Sequence, residues 1–221
     1  MVIEIGPGKG ALTASLLECA DRVIAIEVDA VLVHYLRQKF REAIAAARLE
    51  LIEGDVLATD LAALAERPVL AGNLPYYVTS PILERVLALN GAWERAVFLV
   101  QAEVARRMTA LPGTRDFGYL SVMVQARSHA ELLFPVPREA FRPPPKVESA
   151  VVGLTPRDAG IADLPAFLKF AQTCFKQKRK TLRNNLLVTY GAERVEALPE
   201  ARLRAEQLSV EQLIALHERL G

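Results

Sequence analysis

The stretch "VIEIGPGKGALT", residues 2–13, decides the fold. Val2 to Ile5 reads as a buried strand. Gly6, Gly8 and Gly10 follow at once, and a helical pattern then runs through about Cys19. Strand, glycine turn and helix in that order let the backbone approach a ligand closely at a helix N-terminus. The spacing sets this turn apart from two common phosphate-binding loops. The third glycine comes one residue early for G-x-G-x-x-G, and Lys9 is followed by Gly10 instead of Ser or Thr.

The same alternation continues outward. "RVIAIEVD" (22–29), "LELIEGD" (49–55), "PVLAGN" (68–73) and "RAVFLVQ" (95–101) read as strands. Helical stretches at 30–47, 80–89 and 102–110 separate or follow them. Strands alternating with helices predict parallel βαβ units in a doubly wound α/β sheet. "HAELLFPVP" (129–137) and "VESAVVGLTP" (147–156) have no helix between them and read as an antiparallel pair closing that sheet. Beyond Pro156 the pattern is helical: "LPAFLKFAQTCF", "KTLRNNLLVTY" and "SVEQLIALHERL". The expected domains are therefore residues 1–156 and 157–221, with the boundary between Pro156 and Asp163.

Composition narrows the function classes. With 52% hydrophobic residues the chain can bury a sizeable core, yet its apolar runs are short and broken by charge, so no membrane span is expected. Its start lacks the pattern of a signal peptide. Cys19 and Cys174 lie far apart in no ligand spacing and read as two reduced, buried thiols of a cytosolic protein. His34, His129 and His217 are scattered, so no metal is expected. The net charge of +1 hides one basic segment: Lys169, Lys176, Lys178, Arg179, Lys180 and Arg183 fall in residues 169–185, which contain no acid. That segment suits an RNA backbone; its bland reading is a solvated helix face.

Two carboxylates accompany the glycine turn. Glu27 ends the second strand, where a carboxylate can accept from both hydroxyls of a ribose. Asp55 ends the third, positioned to accept from an adenine amino group. An adenosine held without a phosphate clamp suggests S-adenosylmethionine. The fourth strand ends in "AGNLPYYVTSP", residues 71–81. Adenine's exocyclic amine is a poor nucleophile because its lone pair is delocalised into the ring. Two acceptors aimed at its N–H bonds draw it toward tetrahedral geometry: the Asn73 side-chain oxygen and the Leu74 carbonyl. Pro75 favours an extended Leu74 that presents that carbonyl, and Tyr76 is placed to stack on the base. Such a site works by positioning and electrostatics, with no strong base.

The segments "VIEIGPGKGALT", "GDVLATD", "GNLPYYVTSPIL", "LVQAEVARRM", "FGYLSVMVQ", "FRPPPKVESAVV" and "FKQKRKTLRNNL" occur in this order. Together they closely resemble the ribosomal RNA adenine dimethyltransferase family, small-subunit branch, from Val2 to about Leu220. "NLPY" is shared with amino-methyltransferases generally, whereas "FRPPPKVES" and "RKTLRNNL" are far more restrictive. The resemblance implies a Rossmann-like S-adenosylmethionine-dependent methyltransferase sheet with a small C-terminal helical domain. Gly6, Gly8, Glu27, Asp55 and Asn73 match cofactor-contacting positions, and Asn73, Leu74, Pro75 and Tyr76 match the catalytic motif. Phe141 matches the aromatic that stacks on the target adenine opposite Tyr76, with Pro143-Pro144-Pro145 as a stiff support. Lys176, Lys178, Arg179, Lys180 and Arg183 are the expected RNA contacts.

The implied partners are small-subunit rRNA and the small ribosomal subunit, and the implied reaction dimethylates two adjacent adenines in a hairpin loop near the rRNA 3′ end. The family also carries a Gln-Asn-Phe-Leu-type segment before strand one. This sequence opens inside strand one, so a truncated frame or a misassigned start is expected. Two rivals stay open: a large-subunit adenine methylase, and a non-catalytic RNA-binding assembly factor.

Overall fold

The computed structural model describes residues 1–75 and 78–220. One seven-stranded sheet organises the first part of the chain, with β1 (Val2–Ile5), β2 (Val23–Glu27), β3 (Leu49–Glu53), β4 (Val69–Asn73), β5 (Arg95–Gln101), β6 (Ser128–Val136) and β7 (Ser149–Pro156) in the order β3-β2-β1-β4-β5-β7-β6. β1 to β5 are mutually parallel, and β7 runs antiparallel to β5. The expected α/β sheet with antiparallel closure is what the chain forms. β1 and β2 are buried at every residue, as strands covered on both faces must be. β6, at the edge, is mostly exposed.

The connections carry α1 (Ala11–Cys19), α2 (Ala30–Lys39), α3 (Arg41–Ala45), α4 (Leu61–Leu64), α5 (Thr79–Leu87) and α6 (Ala102–Met108). The single helix expected over residues 30–47 breaks at Phe40, whose φ of −110° and ψ of 25° leave the helical region. α2 starts cleanly because the Asp29 carboxylate accepts from the amides of Val31 and Leu32. α1 has no such local cap: Gly10 sits at φ 73° with no side chain to offer. The first turn of α1 is tied to the sheet instead by Glu4 in β1, whose carboxyl accepts the Thr13 hydroxyl at 2.6 Å.

The chain divides into two compact units, one of residues Met1–Ala105 with His129–Pro156, the other of Arg106–Ser128 with the chain from Arg157 onward. This differs from a single cut near residue 156. Residues 106–128, including α7 (Tyr119–Gln125), belong to the second unit because Phe117, Val122 and Ala126 join its core. There they pack with Phe167, Phe170 and Cys174 of α8 (Leu164–Cys174), Leu182 and Leu186 of α9 (Leu182–Tyr190), Val195 of α10 (Ala192–Glu196), and Leu213 and Leu216 of α11 (Val210–Leu220). Charge segregates between the units. The first has 12 Lys and Arg against 17 Asp and Glu, or −5, and the second 15 against 9, or +6.

Candidate active site

Strand order locates the site. β1 pairs with β2 on one side and β4 on the other, so the chain leaves these two central strands in opposite directions. Open α/β sheets bind ligands beyond the carboxyl ends of the strands at such a switch point. The glycine turn leaves β1 here and Asn73-Leu74-Pro75 leaves β4. The two exits approach closely: a Cβ on Gly72 would lie 2.6 Å from the Ile5 carbonyl oxygen, so only glycine fits.

A cleft of about 530 Å³ opens beside them, lined among others by Gly6, Gly8, Glu27, Val28, Asp55 and Pro75. The cleft thus gathers Gly6, Gly8, Glu27 and Asp55 from the ends of three strands, 49 residues apart in sequence from Gly6 to Asp55, whereas Asn73, also expected at the cofactor, is not part of its lining. Gly6 and Gly8 adopt φ of 68° and 58°, the left-handed region that disfavours side chains, and nothing stands within 4 Å of where a Cβ would be. Backbone is therefore all the turn presents to the cleft.

Glu27 is nearly buried, at 6% exposure. One carboxylate oxygen accepts the Gly8 amide at 3.0 Å; the other accepts Val28 and Asp29 amides at 2.9 and 3.0 Å. A carboxylate offers about four acceptor positions, so three are already engaged by backbone. Grasp of both ribose hydroxyls, the sequence expectation, requires at least one backbone amide to yield. Asp55 is exposed; one oxygen accepts the Leu57 amide at 2.9 Å, which orders the turn around it.

Asn73 is exposed at the end of β4, and Leu74 is buried at 1% with its amide donated to the Leu99 carbonyl at 3.1 Å. The buried Leu74 side chain anchors the motif, and Pro75 continues it into the cleft wall. Among the described residues no hydrogen bond engages the Asn73 side chain or the Leu74 carbonyl. Tyr76 lies outside the described residues. Phe141 is half-buried and extended after a 3₁₀ turn (Arg138–Ala140) in the β6–β7 connection, and it does not line this cleft.

The basic segment is less uniform than its sequence. Lys176, Arg179 and Lys180 are exposed. Lys178 donates to the Arg115 carbonyl and lies 3.8 Å from the Glu206 carboxylate. Arg183 pairs with Glu196 at 2.6 Å. Both acids come from beyond the acid-free window.

Sequence reasoning passed over Glu4, Val28 and Lys39. Glu4, 1% exposed, carries the one charge in the otherwise apolar β1, a signal readable in sequence. Burial pushes its carboxyl upward from the usual range, opposed by the Thr13 bonds and reinforced by the nearby Glu27. Val28, 68% exposed at the cleft, offers an apolar wall for a planar ring. Among the described residues there is no cluster of His, Cys, Asp and Glu suited to a metal, and no helix long and apolar enough to cross a membrane.

The turn that lines the cleft with Gly6 and Gly8 alone, the buried carboxylate and the apolar wall fit an adenosine-bearing cofactor, and comparison with known proteins agrees. The model of the family "Ribosomal RNA adenine dimethylase" matches residues 1–220. The "Ribosomal RNA small subunit methyltransferase A" of Chlorobium chlorochromatii is 42% identical over 219 residues, covering 97% of this chain and 81% of that protein. The protein of the same name from Synechococcus elongatus is 44% identical over 241 residues, covering 100% and 85%. Among solved structures, a dimethyladenosine transferase from Plasmodium falciparum superposes with a TM-score of 0.81 at 25% identity, covering 97% of this chain and 87% of that one. The 23S rRNA methyltransferase ErmE gives 0.73 at 29%, covering 99% and 90%. The chain belongs to the ribosomal RNA adenine dimethylase family and is an S-adenosylmethionine-dependent rRNA adenine methyltransferase.

Proposed function

We propose that the chain dimethylates N6 of two adjacent adenines in a hairpin loop near the 3′ end of small-subunit rRNA, in the cytoplasm, as a step of small-subunit maturation. The observation that carries this reading is the switch point itself. The glycine turn and the Asn73-Leu74-Pro75 exit leave neighbouring strands β1 and β4, with Glu27 and Asp55 beside them. The cofactor supplies an electrophilic methyl group on a sulfonium. Gly6, Gly8, Glu27 and Asp55 hold its nucleoside, with Val28 against the adenine ring.

On the substrate side, Asn73 and the Leu74 carbonyl accept the two N–H bonds of the target amine and aim its lone pair, and Tyr76 and Phe141 stack on the base. An adenine in a hairpin loop costs least to unstack. The second unit, at +6, is the RNA-contacting domain in this reading, with the exposed Lys176, Arg179 and Lys180 among its contacts. Small-subunit specificity is supported by relatives of that name at 42–45% identity.

The test is methyl transfer from labelled S-adenosylmethionine to under-methylated small subunits, with large-subunit RNA as the parallel substrate. Dimethyladenosine in small-subunit rRNA alone is the expected result. Labelling of the large-subunit RNA favours the branch typified by ErmE. RNA binding without cofactor binding favours a non-catalytic factor.

A further inference from the structure

We infer that Lys39 is a positioning residue for the cofactor turn, holding its carbonyl face from the side opposite Glu27. A lysine in the last turn of an exposed helix would ordinarily sit in solvent or near its own helix's terminal carbonyls. Lys39 instead reaches a loop 30 residues upstream, where its ammonium donates to the Lys9 carbonyl at 2.8 Å and the Gly10 carbonyl at 3.4 Å. It also lies over two rings, 5.0 Å from the centroid of Phe40 and 5.9 Å from that of Tyr35.

Packing agrees with the hydrogen bonds. A Cβ on Gly10 would lie 2.5 Å from Phe40 Cε2 and 2.8 Å from Leu36 Cδ2, so Gly10 is pressed flat against the end of α2. The same helical turn thus supplies the apolar template and the cation.

The turn needs such support. Gly6, Gly8 and Gly10 all have positive φ, and glycine loses more conformational freedom on ordering than any other residue. Besides the bonds of Lys39, the turn is tied by Gly10 N–H to the Pro7 carbonyl at 2.8 Å, Gly6 N–H to the Ile26 carbonyl at 3.0 Å, Gly8 N–H to Glu27, and the Ala14 amide of α1 to the Gly10 carbonyl at 3.4 Å. Peptide groups are planar. Holding the carbonyls of Lys9 and Gly10 therefore also orients the N–H groups of Gly10 and Ala11. The Ala11 amide opens α1 and is one that the helix itself leaves unpartnered. Glu27 fixes the cleft side of the turn and Lys39 its outer side.

The inference rests on the glycine turn being the cofactor's cradle, and the experiment separates the two. Lys39→Met keeps the stem and removes the charge; Lys39→Arg restores it. In the ligand-free chain, amide exchange at residues 8–11 should quicken roughly tenfold in Lys39→Met while the interior of α1 is unchanged, and Lys39→Arg should recover most of the protection. Affinity for S-adenosylhomocysteine should fall about tenfold in Lys39→Met, the cofactor KM rising with kcat nearly constant, and RNA affinity should hold. Wild-type exchange and affinity in Lys39→Met would overturn the inference, as would equal losses for cofactor and RNA. Glu27→Ala is the control: if its affinity for S-adenosylhomocysteine is also unchanged, the cradle reading fails and the role of Lys39 falls with it.

Discussion

Gly8 donates its amide to the Glu27 carboxylate at 3.0 Å, which ties the turn after β1 to the end of β2. The residue expected to grip the ribose is therefore also part of the scaffold that shapes the ribose pocket. Affinity and local stability are coupled at this one side chain, and the coupling is measurable.

Glu27→Ala should lower the urea midpoint and weaken the cofactor together. Removing the carboxylate leaves the part-buried Gly8, Val28 and Asp29 amides without their acceptor; water can reach them in part, so the cost should be about 1 kcal/mol, the low end of the range for an unpaired donor. Titration with S-adenosylhomocysteine and with RNA, beside a urea melt, reads all three quantities. RNA affinity should hold. A normal melt with lost cofactor binding would mean that the backbone bonds contribute nothing.

Asn73→Ala should retain fold and RNA binding but lose about 2.7–4 kcal/mol of transition-state stabilisation, roughly a hundred- to thousandfold in rate. Asn73 is exposed, so the unfolding free energy should move by less than about 0.5 kcal/mol. Single-turnover methylation on saturating RNA decides it, and near-normal turnover would remove Asn73 from the reaction.

The basic segment should divide into two groups. Replacing exposed Lys176, Arg179 and Lys180 by Gln should lower the log–log salt slope of RNA binding by roughly 2 to 3, since each phosphate contact contributes about 0.7–0.9. Arg183→Gln should change it less, because Glu196 already holds that guanidinium at 2.6 Å. Binding isotherms at several salt concentrations test the ranking; an unchanged slope in the triple variant places the RNA contact elsewhere.

Glu4 should give stability an unusual pH dependence. Its folded carboxyl is raised chiefly by burial. Between the unfolded and folded values the native state binds more protons than the unfolded one, so this group's contribution falls as pH rises through that window. Glu4→Gln, which keeps an acceptor for the Thr13 hydroxyl without the charge, should match wild type below the window and gain on it above. Urea midpoints from pH 4 upward, for both proteins, supply the test; a difference independent of pH would show that ionisation of Glu4 is not what costs stability.

Much was legible in sequence because it is local. Apolar runs of strand length ending in glycines or acids gave the α/β sheet, and a strand's end is where a loop residue meets a ligand. Gly6, Gly8, Glu27, Asp55 and Pro75 accordingly line one cleft. What escaped was set by partners distant along the chain. Residues 106–128 follow a sheet strand, yet Phe117 and Val122 find their apolar neighbours in the helices beyond residue 157. No periodicity within the segment can announce that. Lys178 and Arg183 sit in an acid-free window, but Glu206 and Glu196 are folded against them.

The chemistry available at each position came from the sequence: which residues can accept, donate or stack. Whether that capacity is left for a ligand or spent within the protein was decided only by the tertiary structure. Hydrogen bonds and ion pairs form between groups close in space, and chain separation says nothing of that. Glu27 carries both answers: its carboxylate at the end of β2 was readable from one line of sequence, while the Gly8 amide that occupies one of its oxygens reaches it only once β1 and β2 lie side by side.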